Sequence, residues 1–484
     1  MPHPESVAPM EVRWRKFALA IFLTAYFLYC NWGSLRVHFA IDELANIRYY
    51  FDPTVWQNLL ANFLPWRGDY RPFGAWYYLP VYHFAGLDPA PYQAVLLVVL
   101  MANVYFAHRL VRLLGAGELP AAVTAMVCCY HGGLANLYYN AAFIYDGLCC
   151  CFYLAALSFY VKIRGRGKLL GGGQTVVFLA LALAAMNSKE MAVSIAVMML
   201  IYEMVYHPPA KRTTASLKSW ALGPARTVWI AAGLSLLDVY GKVAGPGAMA
   251  ATLAYRPVFT LERARACQVA LMQDLLLAKP WTPGWFSILG FYAVLARLAW
   301  RRPDRPILRF FFWFLLIVPL PIEFLEGRRE ACFALPMVAL TAFGSVILLD
   351  AAQSAARFLT REFKLPVRAG VLTALIVAGA LLLWVREQND LRRATGGEMA
   401  ALGQDTWDII QQMRANHFRP RPGSSVAFLD DPFHSLDMYT LARLWFHDRS
   451  VKIHGNSQGP LTADELAKMD YVFTVENRKL IRIR

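Results

Sequence analysis

The sequence predicts an α-helical multi-pass membrane protein of about eleven transmembrane helices with a small C-terminal α/β domain on the outer side, and three observations carry that expectation. Of 484 residues, 57% are apolar and 17% are charged, with a mean hydropathy of +0.37. That balance is too apolar and too weakly charged for an ordinary soluble enzyme. Apolar runs of roughly 16 to 22 residues, about the length that crosses a hydrocarbon core, recur as far as residue 385. Lys and Arg gather in every second connection between those runs.

The runs lie near 17–33, 92–114, 119–138, 146–162, 170–187, 190–206, 226–242, 283–300, 308–325, 331–349 and 368–385. The run at 226–242 is the weakest, because Asp238 and two glycines interrupt it. Arg13, Arg15 and Lys16 precede the first run as they would in a signal peptide, but no small-x-small cleavage site follows at NWGSLRV, so the segment reads as an uncleaved first helix. With the N-terminus inside, every inner connection is positive, from Arg109 and Arg112 through Lys162 to Lys168, Lys211 to Arg226 and Arg301 to Arg309, ending with Arg357 to Arg368. An odd number of spans leaves the C-terminus outside.

This orientation also interprets the net charge of +15 and the pI of about 9.5. In a soluble domain such an excess would suggest nucleic acid, whereas in a membrane protein it marks cytoplasmic loops, so nucleic acid is set aside as a partner. Seven of the eight cysteines lie in or beside apolar runs without CxxC or histidine spacing, which argues against metal and disulfide roles, and Cys267 alone falls outside the runs.

Two domains follow. Residues 1–385 form the membrane domain, with 34–91 as its first outer loop, and 386–484 form an extracytoplasmic α/β domain. In the latter, WDIIQQMRANHF reads as an amphipathic helix, SSVAFLDD as a strand, HSLDMYTLARLWF as a helix, and SVKIHG and DYVFTVE as strands. GPGAMAATLAY lacks the spacing and the lysine of a phosphate-binding loop.

The charged residues of the membrane domain converge on the outer side: Asp42, Glu43, Asp69, Asp146, Lys189, Glu190, Arg328 and Arg329. The stretch IDELANIRYYFDPTVWQNLLANFLPWRGDYRPF sets several of them among aromatic residues just outside the membrane, and it reads as a catalytic loop. Each group also has a plainer reading. Asp42 and Glu43 suit the N-terminus of a helix, as Asp146 does. Asp69 and Arg71 could be an intraloop salt bridge, Lys189 and Glu190 a polar turn, and Arg328 and Arg329 an ion-pair cluster with Glu326 and Glu330. Trp56, Trp66, Trp76, Tyr77 and Tyr78 suit an interfacial belt as well as a sugar-stacking wall. His83 and His131 read as structural rather than metal-binding.

Four stretches resemble the GT-C membrane glycosyltransferases, in particular the protein O-mannosyltransferase and aminoarabinose transferase-like bacterial proteins. IDELANIRYY is similar to their acidic motif after the first helix, DYRPFGAWYYLPVYHF to their YRPL stretch, NSKEMAVSIAVMMLIYE to a SKE-rich helix start, and EGRREACFALPMVAL to a late arginine-then-proline loop. Two departures stand out: Tyr145 occupies the place of an arginine before the Asp that opens the fourth helix, and Phe73 replaces Leu after Arg-Pro.

The resemblance implies a GT-C-like membrane domain in a bacterial plasma membrane that moves a sugar from a polyprenyl-phosphate donor to an acceptor glycan, lipid or protein. It implies Asp42, with Glu43, as catalytic, and it leaves a divalent cation possible as cofactor. The chemistry fits the residues. Inverting transfer needs a base for the acceptor proton, for which Asp42 is the choice, and cations for the departing phosphate, for which Arg328, Arg329 and Lys189 qualify. Asp69, Tyr70, Arg71, Asp146, Glu190 and Trp66 are the remaining substrate-binding candidates. The alternatives are a lipid-carrier or polysaccharide transporter or flippase, for which intramembrane charges are expected whereas here the charges gather at the helix ends, and a noncatalytic member of the fold.

Overall fold

In the computed structural model, residues 9–484 are described apart from 212, 365, 402, 431–437, 456–457 and 477–478. All eleven apolar runs are helical in whole or in part. Among the described residues, seven helices are long and apolar enough to cross a membrane, and the weak run lies in the least apolar of them, Arg226–Ala251. The other four runs form shorter helices: Glu118–Cys129, Gly172–Ser188, Ile195–Tyr206 and Trp285–Trp300. A 12-residue helix such as Ile195–Tyr206 rises only about 18 Å, well short of a hydrocarbon core. The chain is therefore membrane-embedded, with seven apolar helical segments of spanning length and four shorter ones among the described residues.

The interruptions have local causes, and they leave irregular backbone near polar side chains. The expected run 119–138 stops as a helix at Cys129, because the turn that follows must bring Gly133 against the Asp274 backbone, where a Cβ would come within 1.9 Å of the carbonyl oxygen. Helix Pro306–Ile317 stops before Pro319 and Pro321, which cannot donate to the helical ladder. Helix Gly172–Ser188 ends at Lys189, whose backbone is extended, and a 3-10 turn over Glu190–Ser194 leads into the next helix. Non-helical backbone at this depth is tolerated where it is buried in protein or lines a cavity.

At the opposite end of the bundle, a buried cluster ties helix Ile144–Arg164 to helix Ile195–Tyr206. Glu203 accepts from Arg164 Nε at 2.7 Å, from Arg164 Nη2 at 2.8 Å and from the Tyr160 hydroxyl at 2.8 Å. This intramembrane acid is fully paired, as a structural charge in a bundle must be.

The tail is a four-stranded sheet of β1 (Ser425–Phe428), β2 (Lys452–His454), β3 (Tyr471–Glu476) and β4 (Lys479–Arg482), in the order β2-β1-β3-β4. β1 runs parallel to both neighbours and β3 pairs antiparallel with β4. The three strands read from the sequence are present, whereas β4 and the short helix Ala463–Ala467 were not anticipated. Helices Gln404–Ala415 and Met438–Phe446 match the two expected ones, with residues 434–437 of the latter outside the described residues. The change of composition near residue 386 falls inside one continuous helix, Ala369–Ala401.

The tail docks on the first loop. Arg443 Nε lies 3.3 Å from Asp52 Oδ1, Arg48 donates to Thr440 Oγ1 at 2.8 Å, and the Tyr82 hydroxyl donates to the Leu444 carbonyl at 2.6 Å. The first loop and the tail therefore lie on one face of the bundle.

Candidate active site

The first helix ends at Asn31, a 3-10 turn and an extended stretch follow, and a new helix spans Ile41–Phe51. This second helix separates the two acids of the DE pair. Successive residues of a helix point about 100° apart, so Asp42 and Glu43 cannot share a surroundings. Glu43, Ile47 and Tyr50 face the core and are buried, while Asp42, Ala45 and Asn46 face a cavity of about 410 Å³.

Glu43 is a structural group. Its carboxylate accepts from the backbone N–H of Ala40 and, at 2.8 Å, from that of Ala141, joining the first loop to the turn before helix Ile144–Arg164. Burial pushes this carboxyl up to about 8, the two amides pull it back and the neighbouring Asp42 charge adds to the rise. The catalytic role expected of Glu43 does not fit this placement, because it does not line the cavity and both of its oxygens already have donors. Glu43→Gln sets an NH₂ group against one of those amides, and the expected result is a loss of about 1–3 kcal/mol in stability. Unfolding in detergent with turnover per folded molecule checks this: a stable variant with lost turnover would return Glu43 to the catalytic set.

Asp42 is exposed to the cavity and, among the described residues, has no hydrogen-bond or ion-pair partner. The other acids of the cavity wall are engaged. Asp146, buried in the first turn of helix Ile144–Arg164, binds the Lys189 ammonium, which also lies 3.3 Å from Cys332 Sγ. Glu330 accepts from the Asn136 side chain.

Arg71 stands in left-handed backbone with φ of 40°, and its carbonyl accepts from the Tyr50 hydroxyl at 2.8 Å. Its guanidinium reaches Glu190 twice, Nε to Oε1 at 3.3 Å and Nη2 to Oε2 at 3.5 Å. It lies over the rings of Tyr70, Tyr145 and Tyr255 at 4.8, 5.0 and 5.5 Å. Tyr145, which departs from the resembled pattern, thus seats a cation from another part of the chain. Lys189 and Glu190 do sit in the turn between helices Gly172–Ser188 and Ile195–Tyr206, and each side chain crosses to a different element.

Arg328 and Arg329 also line the cavity, and Arg328 shares the Tyr255 ring with Arg71. Arg328 donates to the Ala254 carbonyl at 3.1 Å and lies 4.7 Å over Tyr255, and its Nε is buried with no hydrogen-bond acceptor among the described residues. Arg329 is exposed and donates to Gln273 Oε1 at 3.0 Å. Neither makes an ion pair among the described residues, and Glu326 pairs instead with Arg263 at 3.5 Å. The ion-pair cluster expected around 326–330 is not formed, because the turn splays these side chains in different directions.

Three other expectations fall elsewhere. Asp69 pairs with Arg67 at 3.2 Å rather than with Arg71, and their turn packs on helix Arg226–Ala244, where Gly68 at φ of 78° comes so close to Gly241 that a Cβ would lie 2.0 Å from the Gly241 oxygen. Trp66 is in the same turn, half-exposed, and does not line the cavity. Glu190 lies behind Arg71, on the edge of a neighbouring apolar groove. Conversely, sequence reading missed Asn46, Asn136, Tyr255 and Cys332, which do line the cavity. Asn46 carried a signal, being one helical turn from Asp42 on the same stripe. Tyr255 carried none.

The apolar groove, about 360 Å³, shares Tyr255 with the cavity and runs between Val239, Val243, Phe259, Leu320 and Phe324. Most of these side chains are themselves exposed, Phe259 at 77%. Among the described residues, no group of three His, Cys, Asp or Glu side chains is placed to hold a metal ion.

No family model matches the chain, and no curated protein matches it by sequence. Solved structures do. The archaeal oligosaccharyltransferase AglB from Archaeoglobus fulgidus, in complex with an inhibitory peptide and a dolichol-phosphate, is 13% identical with a TM-score of 0.53, over 96% of this chain and 70% of that one. ArnT from Cupriavidus metallidurans in the apo state is 14% identical with a TM-score of 0.51, over 97% of this chain and 94% of that one. The likenesses span nearly the whole chain and show that its overall fold is the one shared with these two membrane proteins.

Proposed function

We propose that the protein transfers a sugar from a polyprenyl-phosphate carrier to an acceptor hydroxyl or amine, with inversion, in the cavity beside the first loop. The observation that carries this reading is one carboxylate without a partner among the described residues, Asp42, sharing a cavity with two arginines that have no ion-pair partner among them. Asp42 takes the acceptor proton as the acceptor attacks the anomeric carbon. The bond from that carbon to the phosphate oxygen breaks, and the lipid phosphate leaves with added negative charge. Arg328 and Arg329 stabilise that charge, and the unsatisfied Nε of Arg328 is a donor held ready for an anion. Lys189, fixed by Asp146, and Arg71, paired with Glu190, are the other two cations of the cavity wall. The hydrocarbon of the carrier lies in the apolar groove next to Tyr255. A site facing the lipid through an apolar groove suits a donor that arrives laterally in the bilayer.

The transporter alternative is less well supported, since the buried intramembrane charges Arg164 with Glu203, and Lys242 with Asp238, are paired. Substitution at the arginines tests the donor half of the proposal. Arg328→Ala and Arg329→Ala are each expected to raise the KM for a polyprenyl-phosphate sugar about tenfold or more, and lysine to restore part of the loss because a charge returns without the bidentate geometry. Unchanged donor saturation in both alanine variants would remove them from phosphate binding.

A further inference from the structure

A second cavity, of about 750 Å³, lies between helices Pro9–Asn31, Pro89–Leu113 and Ile144–Arg164. Helix Ile144–Arg164 measures its distance from the candidate active site. Asp146 near the start of that helix lines the first cavity and Lys162 near its end lines the second, about 24 Å apart at 1.5 Å per residue. The two sites are at opposite ends of the bundle.

The second cavity has two kinds of wall. Leu19, Leu23, Met101 and Val104 give it an apolar interior. Lys16, Arg109, Arg112, Lys162 and Arg166 form a cationic rim. The acid of the rim, Glu118, is already taken, by Arg112 Nη1 at 2.9 Å and His108 Nε2 at 3.1 Å. Arg109 donates to the Tyr105 hydroxyl at 2.7 Å. Lys16, Lys162 and Arg166 are exposed and have no ion-pair partner among the described residues.

A slot with a hydrocarbon interior and several cations at its mouth complements a molecule with an anionic head and apolar tails. A neutral lipid would leave the cations unanswered, and a soluble anion would leave the apolar walls uncovered. We propose that this cavity binds one anionic glycerophospholipid of the leaflet opposite the candidate active site. Its phosphate is held by Lys16, Lys162 and Arg166, with Arg109 beside it, and its acyl chains lie along Leu19 and Met101. Cations of this kind near a membrane surface each strengthen binding of anionic lipid several-fold.

The test is native mass spectrometry of the full-length protein in detergent, titrated separately with phosphatidylglycerol, phosphatidylcholine, a polyprenyl phosphate and inorganic phosphate. Phosphatidylglycerol is expected to be retained preferentially over phosphatidylcholine. The exposed triple substitution Lys16→Gln, Lys162→Gln, Arg166→Gln is expected to weaken that retention about 10- to 100-fold, and Lys162→Gln alone about fivefold. Lys211→Gln with Lys218→Gln, exposed cations outside the cavity, is the control and should retain the lipid as the unmodified protein does. Equal loss in the control pair would mean diffuse attraction to basic loops and would overturn the proposal, as would unchanged retention in both cavity variants. Competition by inorganic phosphate at equal concentration, or selective loss of polyprenyl phosphate rather than phosphatidylglycerol, would overturn it in favour of a different occupant.

Discussion

Asp42→Asn is expected to lower sugar transfer about 10²–10⁴-fold, the usual contribution of a general base, while leaving the protein folded and membrane-inserted. The amide is nearly isosteric and can still accept a helix N-terminal hydrogen bond, so a purely capping role would cost about 1 kcal/mol at most and leave turnover intact. The structure sharpens this contrast, because Asp42 has no partner among the described residues whose loss would complicate the reading, and Glu43 already serves the cap through Ala40. Transfer is measured from a defined polyprenyl-phosphate sugar with purified protein, alongside thermal unfolding. Wild-type-like transfer by Asp42→Asn would exclude it as the base. Asp146 would then be the next acid of the cavity to test, although its ion pair with Lys189 makes it a poorer proton acceptor.

The second large effect is on stability. Arg71 and Glu190 are both buried, with their side chains 7% and 11% exposed, and they hold the first loop against the end of helix Gly172–Ser188. Glu190→Gln leaves the guanidinium buried without a counter-charge, and the expected loss is about 3–5 kcal/mol. Its stacking on three tyrosines offsets only part of this, since a desolvated cation over one ring contributes about 2 kcal/mol. Replacing both members by apolar residues of similar size should recover much of the stability, because the uncompensated charge is gone. Reversible unfolding of the single and double variants measures the coupling. A loss below about 1 kcal/mol in Glu190→Gln would show that the pair is solvated and replaceable.

Much of the fold was legible because a bilayer constrains the chain severely. Continuous apolar runs locate helices, and all eleven are helical in whole or in part. What escaped was helix length. The run at 119–138 looks uniform in hydropathy, but its helix stops at Cys129 because Gly133 is needed for a close approach to Asp274, a contact 141 residues away in the chain. The site was legible where the chemistry was local. Asp42, Arg328 and Arg329 stood out as polar residues at helix ends, and the helical period of IDELANIRYY could have separated Asp42 and Asn46 from Glu43 and Ile47. Pairings were not legible. Proximity in sequence suggested Asp69 with Arg71, whereas Arg71 binds Glu190, 119 residues on, because the left-handed backbone at Arg71 turns its side chain toward the bundle. Charge alone cannot choose among several acids, and only the folded geometry brings Arg71, Tyr145 and Tyr255 together.

The most direct test is a structure of the purified protein with a bound polyprenyl phosphate. The expected result places the phosphate within hydrogen-bond distance of Arg328 or Arg329, in the cavity that Asp42 also lines, with the hydrocarbon between Val239, Phe259 and Phe324. A phosphate bound away from both arginines, or a chain lying outside that groove, would contradict the assignment of the donor site.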